Sequence, residues 1–192
     1  MPGKYLPVIE TRRLILREFT SDDLDAVHAY GSQKEVSQSM TYKNHTTKER
    51  TKRKLTQWLE GYAKNNGSEM RWAMVSKAHG GVIGCINLHT YNWYHKRCWA
   101  GYSLNASEWG KGYTTEAMSA LIEYAFTHLD LLSIGAVVRI DNAGSCRVME
   151  KSGASVVATL RDYWLNKGVM MTMHQYHIRK SDIADRLPQG SL

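Results

Sequence analysis

Three stretches that alternate with period two, MRWAMVSK, VIGCINLHTY and RCWAGYSL, follow one another across residues 70–104. They run directly into a glycine-bracketed turn and a segment of helical period, and this succession excludes most folds. The first two stretches, joined by AHGG, predict a hairpin, and the third predicts a further strand. From about Gly112 to His128 the spacing of Ala117, Leu121, Tyr124 and Ala125 predicts a helix with one apolar face. LSIGAVVRI then reads as a buried strand, NAGSCRVMEKSG as a short helix closed by Gly153, and ASVVATLRDYW and VMMTMHQYHI as the last two strands.

Upstream, RLILREF predicts a strand with Leu14 and Leu16 on one face and Ile15, Arg17 and Phe19 on the other. SDDLDAVHAYG, capped by Thr20 or Ser21, predicts a helix. TYKNHTT opens a second helix in which Leu55, Trp58, Leu59 and Tyr62 share a face and which Asn65, Asn66 and Gly67 end. The order βαα-βββ-α-β-α-ββ implies an α/β (α+β mixed) fold, a mixed sheet with helices on both faces.

A chain of 192 residues without repeats or linkers reads as one domain, 1–192, with its core over about 10–178 and a frayed tail over 181–192. No apolar run is long enough to cross a membrane, and MPGKYLPVIETRR lacks a signal-peptide core, so a cytoplasmic location is expected. Cys85, Cys98 and Cys146 are too scattered for a disulfide framework or a zinc site, and no metal is implied. The net charge is +7, and KNHTTKERTKRK (43–54) holds six Lys/Arg against one Glu. That segment reads either as a solvated helix face or as attraction to an acidic partner, a phosphate-rich ligand or a nucleic-acid-bearing particle. Without interleaved aromatics or a reading helix it does not imply specific DNA binding.

SEWGKGYTTEAM (107–118) has the most chemical content. It is not a P-loop, since Asn105 stands where the first glycine is required, nor a dinucleotide fingerprint, since Thr115 stands at the third glycine. A glycine-rich turn opening a helix still directs several backbone N–H groups at one point, with the helix dipole behind them. Gly110 and Gly112 permit close approach and Lys111 adds a cation; a plain strand-to-helix turn is the alternative. Asn142 and Ser145 open the later helix, where Asn142 is also a good N-cap. If the strands feeding these two turns are neighbours, both turns line one edge of the sheet.

ETRRLILREF, VIGCINL, AGYSLNASEWGKGYTTEAM and NAGSCRVMEKSG together resemble the GNAT superfamily of acetyl-CoA-dependent N-acetyltransferases, in the branch of the RimJ/RimL ribosomal-protein acetyltransferases. The likeness spans roughly residues 10–178. It implies a central mixed, mostly antiparallel sheet splayed for acetyl-CoA. It further implies that the backbone of Gly110, Lys111, Gly112, Tyr113 and Thr114 cradles the pyrophosphate, with Thr115 adding its hydroxyl or N–H. Leu104 would offer backbone pairing to the pantetheine, Asn142 would bond the pantetheine or thioester region, and Ser145 would stabilise or protonate the leaving thiolate.

Many relatives carry a glutamate as general base two residues before the Gly-Tyr pair; here that residue is Trp99. His89 and His95, flanking TYNWY, are candidate bases or plain surface residues. His174 and His177, three apart on one strand, face opposite sides and form no metal pair. The aromatics Tyr91, Trp93, Tyr94 and Trp99 read as hairpin packing or as the wall of an acceptor pocket. The implied activity is acetyl transfer from acetyl-CoA to a primary amine in a ternary complex. The acceptor is a peptide or protein α-amine of ribosomal-protein type or a small molecule, with a ribosomal protein or ribosome as partner, no membrane, and a homodimer left open. The alternatives are a non-catalytic acetyl-CoA-binding sensor or scaffold, and a basic RNA- or ribosome-binding protein.

Overall fold

The computed structural model describes residues 6–38, 45–64, 69–166 and 168–187. Its elements are β1 (Ile9–Glu10), β2 (Leu14–Arg17), α1 (Leu24–Gly31), α2 (Lys34–Gln38), α3 (Lys48–Lys64), β3 (Glu69–Ser76), β4 (Val82–Asn92), β5 (Arg97–Leu104), α4 (Tyr113–His128), β6 (Ser133–Arg139), α5 (Ala143–Lys151), β7 (Ser155–Asn166) and β8 (Val169–Arg179). The strands form one sheet in the order β1-β2-β3-β4-β5-β6-β8-β7. Every neighbouring pair is antiparallel except β5 and β6, which α4 connects as a parallel crossover.

That parallel pair is short. It joins Arg97 to Ser133, Cys98 to Ile134 and Trp99 to Gly135, and there the pairing ends. Beyond it the C-terminal halves of β5 and β6 part, leaving a fork in the middle of the sheet.

Each face of the sheet has its own core. Leu14, Leu16, Trp72, Ile86, Leu88 and Ala100 pack under α4 and α5. On α4, Ala117, Met118, Leu121, Ile122, Ala125 and Phe126 are all buried, a stripe of helical period. Tyr124 lies at its margin, its ring edge-on to Trp72 at 5.9 Å. On the opposite face Phe19, Ala73, Val75 and Cys85 meet Val27 and Tyr30 of α1 and Leu55 of α3, with Trp58, Leu59 and Tyr62 packed around them. Each such aliphatic or aromatic side chain stabilises the fold by about 1.5–3 kcal/mol when fully buried.

The structure departs from the sequence reading in three places. β1 pairs with β2 through Ile9–Leu16 and Glu10–Ile15, a contact too short to show periodicity. α2, only five residues long, bridges the fork. Near α2, Gln33 bonds both Asn105 and the Ala106 N–H. At its far end the Gln38 carbonyl accepts from Arg139 and from Asn166, each at 3.0 Å. Finally, Lys180–Arg186 is not frayed: it forms 3-10 turns that bury Ile183 in the core beside Gly153 and Ile178. The expected helix end at Asn65, Asn66 and Gly67 lies outside the described residues, as do residues 41–44 of the expected helix start.

The glycine of VIGCINL has a steric cause. A Cβ on Gly84 would press into the Ser103 carbonyl and lie 3.0 Å from the Leu104 Cα on β5. Gly84→Ala should therefore lower stability by about 1–3 kcal/mol through overpacking. Gly61→Ala on the exposed side of α3, where a Cβ meets nothing within 4 Å, should raise it by about 0.5–1 kcal/mol. Urea denaturation of both variants checks the pair of signs.

Candidate functional site

Bonds from several parts of the chain fasten the turn between β5 and α4. Asn105 caps its first residues, its Oδ1 accepting from the Ser107 N–H at 3.2 Å and from Gln33 Nε2 at 2.9 Å. The Trp109 indole N–H donates back to the Leu104 carbonyl at 2.9 Å, closing the turn on the strand it leaves. Gly110 and Gly112 have φ of 75° and 80°, the left-handed region that favours glycine. A Cβ on Gly110 would meet nothing within 4 Å, so the backbone there is open to a ligand.

Arg13 holds the far side. Its Nη1 donates to the Lys111 carbonyl at 2.9 Å and its Nε to Glu116 Oε2 at 2.6 Å. The Arg13 backbone N–H and the Thr11 hydroxyl both donate to Glu116 Oε1 at 2.7 Å. The guanidinium also lies 4.5 Å from the Tyr113 ring centroid. Burial alone would raise the Glu116 pKa; the bonds from Thr11 and Arg13 outweigh it and hold the carboxyl below the ordinary glutamate value. ETRRLILREF and SEWGKGYTTEAM contain Arg13 and Glu116, but nothing local in either motif reports a pair 103 residues apart.

Gly112 occupies the N-cap of the 16-residue α4 and, among the described residues, no side chain caps that end. The first-turn amides and the dipole behind them form an anion-accepting surface. Lys111 does not supply the expected cation directly, because its Nζ pairs with Glu108 at 3.0 Å. Thr114 is buried, and Thr115 and Tyr113 are half-buried.

Across the fork, Asn142 caps α5, its Oδ1 accepting from the Ser145 N–H at 3.1 Å. Ser145 is half-buried, and its carbonyl accepts from the Tyr102 hydroxyl at 3.2 Å, tying β5 to the start of α5. Burial raises the Tyr102 pKa to about 12, so this hydroxyl stays a donor. Because β5 and β6 are parallel, both helix starts lie at their carboxyl ends, and the sequence-predicted residues 110–115, 142 and 145 flank one opening. Leu104 borders it by its backbone while its side chain is in the core.

The other candidates separate. His95 is exposed in the β4–β5 turn. His89 is the cross-strand partner of Trp99, and its Nδ1 is hydrogen-bonded to Thr90 Oγ1 at 2.9 Å. Burial pushes its pKa down, Glu69 pushes it back up and Arg71 lowers it further. Tyr91 stacks on Trp93 at 4.8 Å while Tyr94 is almost fully exposed, so the loop aromatics do not form one wall. No group of His, Cys, Asp and Glu among the described residues is arranged to hold a metal ion, and no helix among them is long and apolar enough to cross a membrane.

Comparison with known proteins agrees with this geometry. The acetyltransferase (GNAT) domain family matches residues 13–155. An N-acetyltransferase of Bacillus subtilis, YoaA, itself uncharacterized, is 32% identical over 174 residues, covering 91% of this chain and 97% of the relative. The crystal structure of a GNAT-family acetyltransferase from Bacillus anthracis superposes with a TM-score of 0.80 at 26% identity, covering 91% of this chain and 99% of that one. A ribosomal-protein-S5-alanine acetyltransferase from Vibrio fischeri shares the fold, with a TM-score of 0.79 at 20% identity over 92% of this chain and 98% of its own.

The Arg13–Glu116 clamp has a pH signature. Because the folded-state pKa of Glu116 is depressed, its stabilisation is present above the unfolded carboxylate value and lost as pH falls through the folded one. Glu116→Gln should cost about 1.5–3 kcal/mol at neutral pH, the scale of a charge-assisted hydrogen bond. The difference from wild type should shrink toward pH 3, as read by urea denaturation across that range.

Proposed function

We propose, from the premise that the chain belongs to the GNAT acetyltransferase family, that the amine it acetylates is the α-amino group of a peptide or protein. The protein is an N-acetyltransferase and acetyl-CoA is its acetyl donor. The donor supplies an activated acyl group, whose thioester carbon a neutral amine attacks as the thiolate departs.

The observation that carries the site assignment is the uncapped start of α4 behind two left-handed glycines, placed at the mouth of the fork. In this reading the backbone N–H groups of Lys111, Gly112, Tyr113, Thr114 and Thr115 take the pyrophosphate, and Gly110 lets it come close. The β5 backbone beyond Trp99, up to Leu104, has no β6 partner and offers hydrogen bonds to the pantetheine amides. Asn142 and Ser145 stand on the opposite bank, and in this reading Ser145 serves the departing sulfur. The protein's contribution is orientation and charge stabilisation, with no covalent enzyme intermediate.

The acceptor follows from proton cost. At pH 7.5 deprotonating a lysine side chain costs about 4 kcal/mol, an α-amine only about 0.5 kcal/mol. Trp99 occupies the position where many relatives place a glutamate base, which favours the amine that needs less help. The fold shared with the ribosomal-protein enzyme of Vibrio fischeri and the six cations against one Glu of residues 43–54 fit a protein acceptor on an RNA-rich particle.

Gly112→Asp should abolish acetyl-CoA binding by calorimetry while circular dichroism stays native, since it sets a carboxylate against the phosphate site and forces a side chain into positive φ. Wild-type affinity in the folded variant would refute the phosphate assignment. For the acceptor, two short peptides suffice, one with a free N-terminus and no lysine, the other N-blocked with one lysine. Thiol release at pH 7.5 should favour the first; faster reaction of the blocked lysine peptide would refute the α-amine reading.

A further inference from the structure

At the base of the fork the sheet carries a continuous row of side chains. Glu69, His89, Trp99, Gly135, His177 and Ser155 are cross-strand partners in turn across β3, β4, β5, β6, β8 and β7. Directly paired residues project from the same face. Here it is the face away from α4, because the alternating neighbours Cys98, Ala100, Ile134, Tyr176 and Ile178 belong to the core beneath α4.

The centre of the row is a gap in the side-chain layer. A Cβ on Gly135 would lie 2.9 Å from Cε3 and Cζ3 of Trp99 and 3.0 Å from His177 Nε2. The two rings therefore occupy the space a side chain would take, meeting edge to face at 5.6 Å and 89°. Since Trp99–Gly135 is also the last pair joining β5 to β6, the His177 ring stands where the fork opens.

His177 Nε2 lies 3.1 Å from Gln175 Nε2. An amide nitrogen only donates, so the imidazole accepts at Nε2 and carries its proton on Nδ1. The charged groups nearest it on this face are Arg97 from β5 and, two residues on along β8, Arg179, which is paired with Asp182 at 2.8 Å; Gly135 from β6, Ser155 from β7, Gln175 from β8 and Trp99 from β5 are uncharged. Burial, then Arg97, push its pKa below the ordinary histidine value, keeping the ring neutral at neutral pH.

We propose, resting on the acetyltransferase reading, that His177 is the general base for the acceptor amine, standing in from β8 for the carboxylate that Trp99 displaces on β5. The acceptor ammonium gives one proton to His177 Nε2, and the Gln175 amide turns its Oε1 to accept from the new N–H. The freed nitrogen pair attacks the thioester carbon; the C–N bond forms, the C–S bond breaks, and its electron pair leaves on sulfur. The nitrogen loses its second proton to water. Ser145 donates its hydroxyl proton to the thiolate and is reprotonated by water, while the imidazolium returns its proton to solvent. Proton removal from the amine and proton delivery to the sulfur thus take place on opposite faces of the sheet, because Ser145 belongs to α5 on the α4 side.

The test has two arms. With the lysine-free peptide as acceptor, His177→Ala should lower kcat about 100-fold, with KM for acetyl-CoA within about twofold of wild type. The acidic limb of its pH profile should move up to the amine's own pKa, and added imidazole should restore rate. Unchanged kcat and an unmoved acidic limb overturn the proposal. The second arm needs no acceptor: in 15N–1H spectra of the wild-type protein, saturating CoA should shift the His177 midpoint by about 0.5 pH unit or more, because filling the fork changes the solvation of the ring, leaving His174 unmoved. CoA binding by calorimetry with no response at His177 overturns this assignment and leaves the acetyltransferase reading standing. Failure of CoA to bind overturns that reading, and this one with it.

Discussion

The short parallel contact between β5 and β6 governs the molecule. Parallel strands need a crossover, so α4 must leave β5 and return to β6. Because the two strands pair only from Arg97–Ser133 to Trp99–Gly135, the rest of their length is available to a ligand. The same topology sets the starts of α4 and α5 on the two banks of the gap. A sheet paired along its full length would have the same core and no such opening.

An uncapped helix start carries a conformational cost. Two left-handed glycines and an uncapped first turn leave α4 without the stabilisation that Asn142 gives α5. Contacts from distant parts of the chain offset this: Arg13 and Thr11 converge on Glu116, Gln33 on Asn105 and Ala106, and the Trp109 indole on Leu104. The turn's shape is thus imposed by its surroundings, and only its permissiveness is local.

The sequence was most legible where packing has a period. The alternation of 70–104, the α4 stripe and the buried β6 all appear where expected, because each has several residues obeying one rule. β1 and α2 were not legible; they are too short to carry a period, and tertiary contacts hold them. Of the candidate site, the glycine turn, Asn142 and Ser145 announced themselves by residue type at helix starts. Arg13, Gln33 and Tyr102 act across separations of 98, 72 and 43 residues, and no local pattern reports such partners. The meeting of Trp99 and His177 over Gly135 is likewise a property of strand order. On the sequence alone that glycine was one small residue in an apolar run.

α2 acts as a strut. One end is tied near Asn105 on the β5 bank through Gln33, and the other, through the Gln38 carbonyl, to Arg139 on β6 and Asn166 on β7. A helix this short has almost no freedom to stretch, so the distance between the banks is gauged by its length and not by whatever lies between them. The aperture is therefore preformed, and a ligand entering it spends little of its binding free energy on prising strands apart.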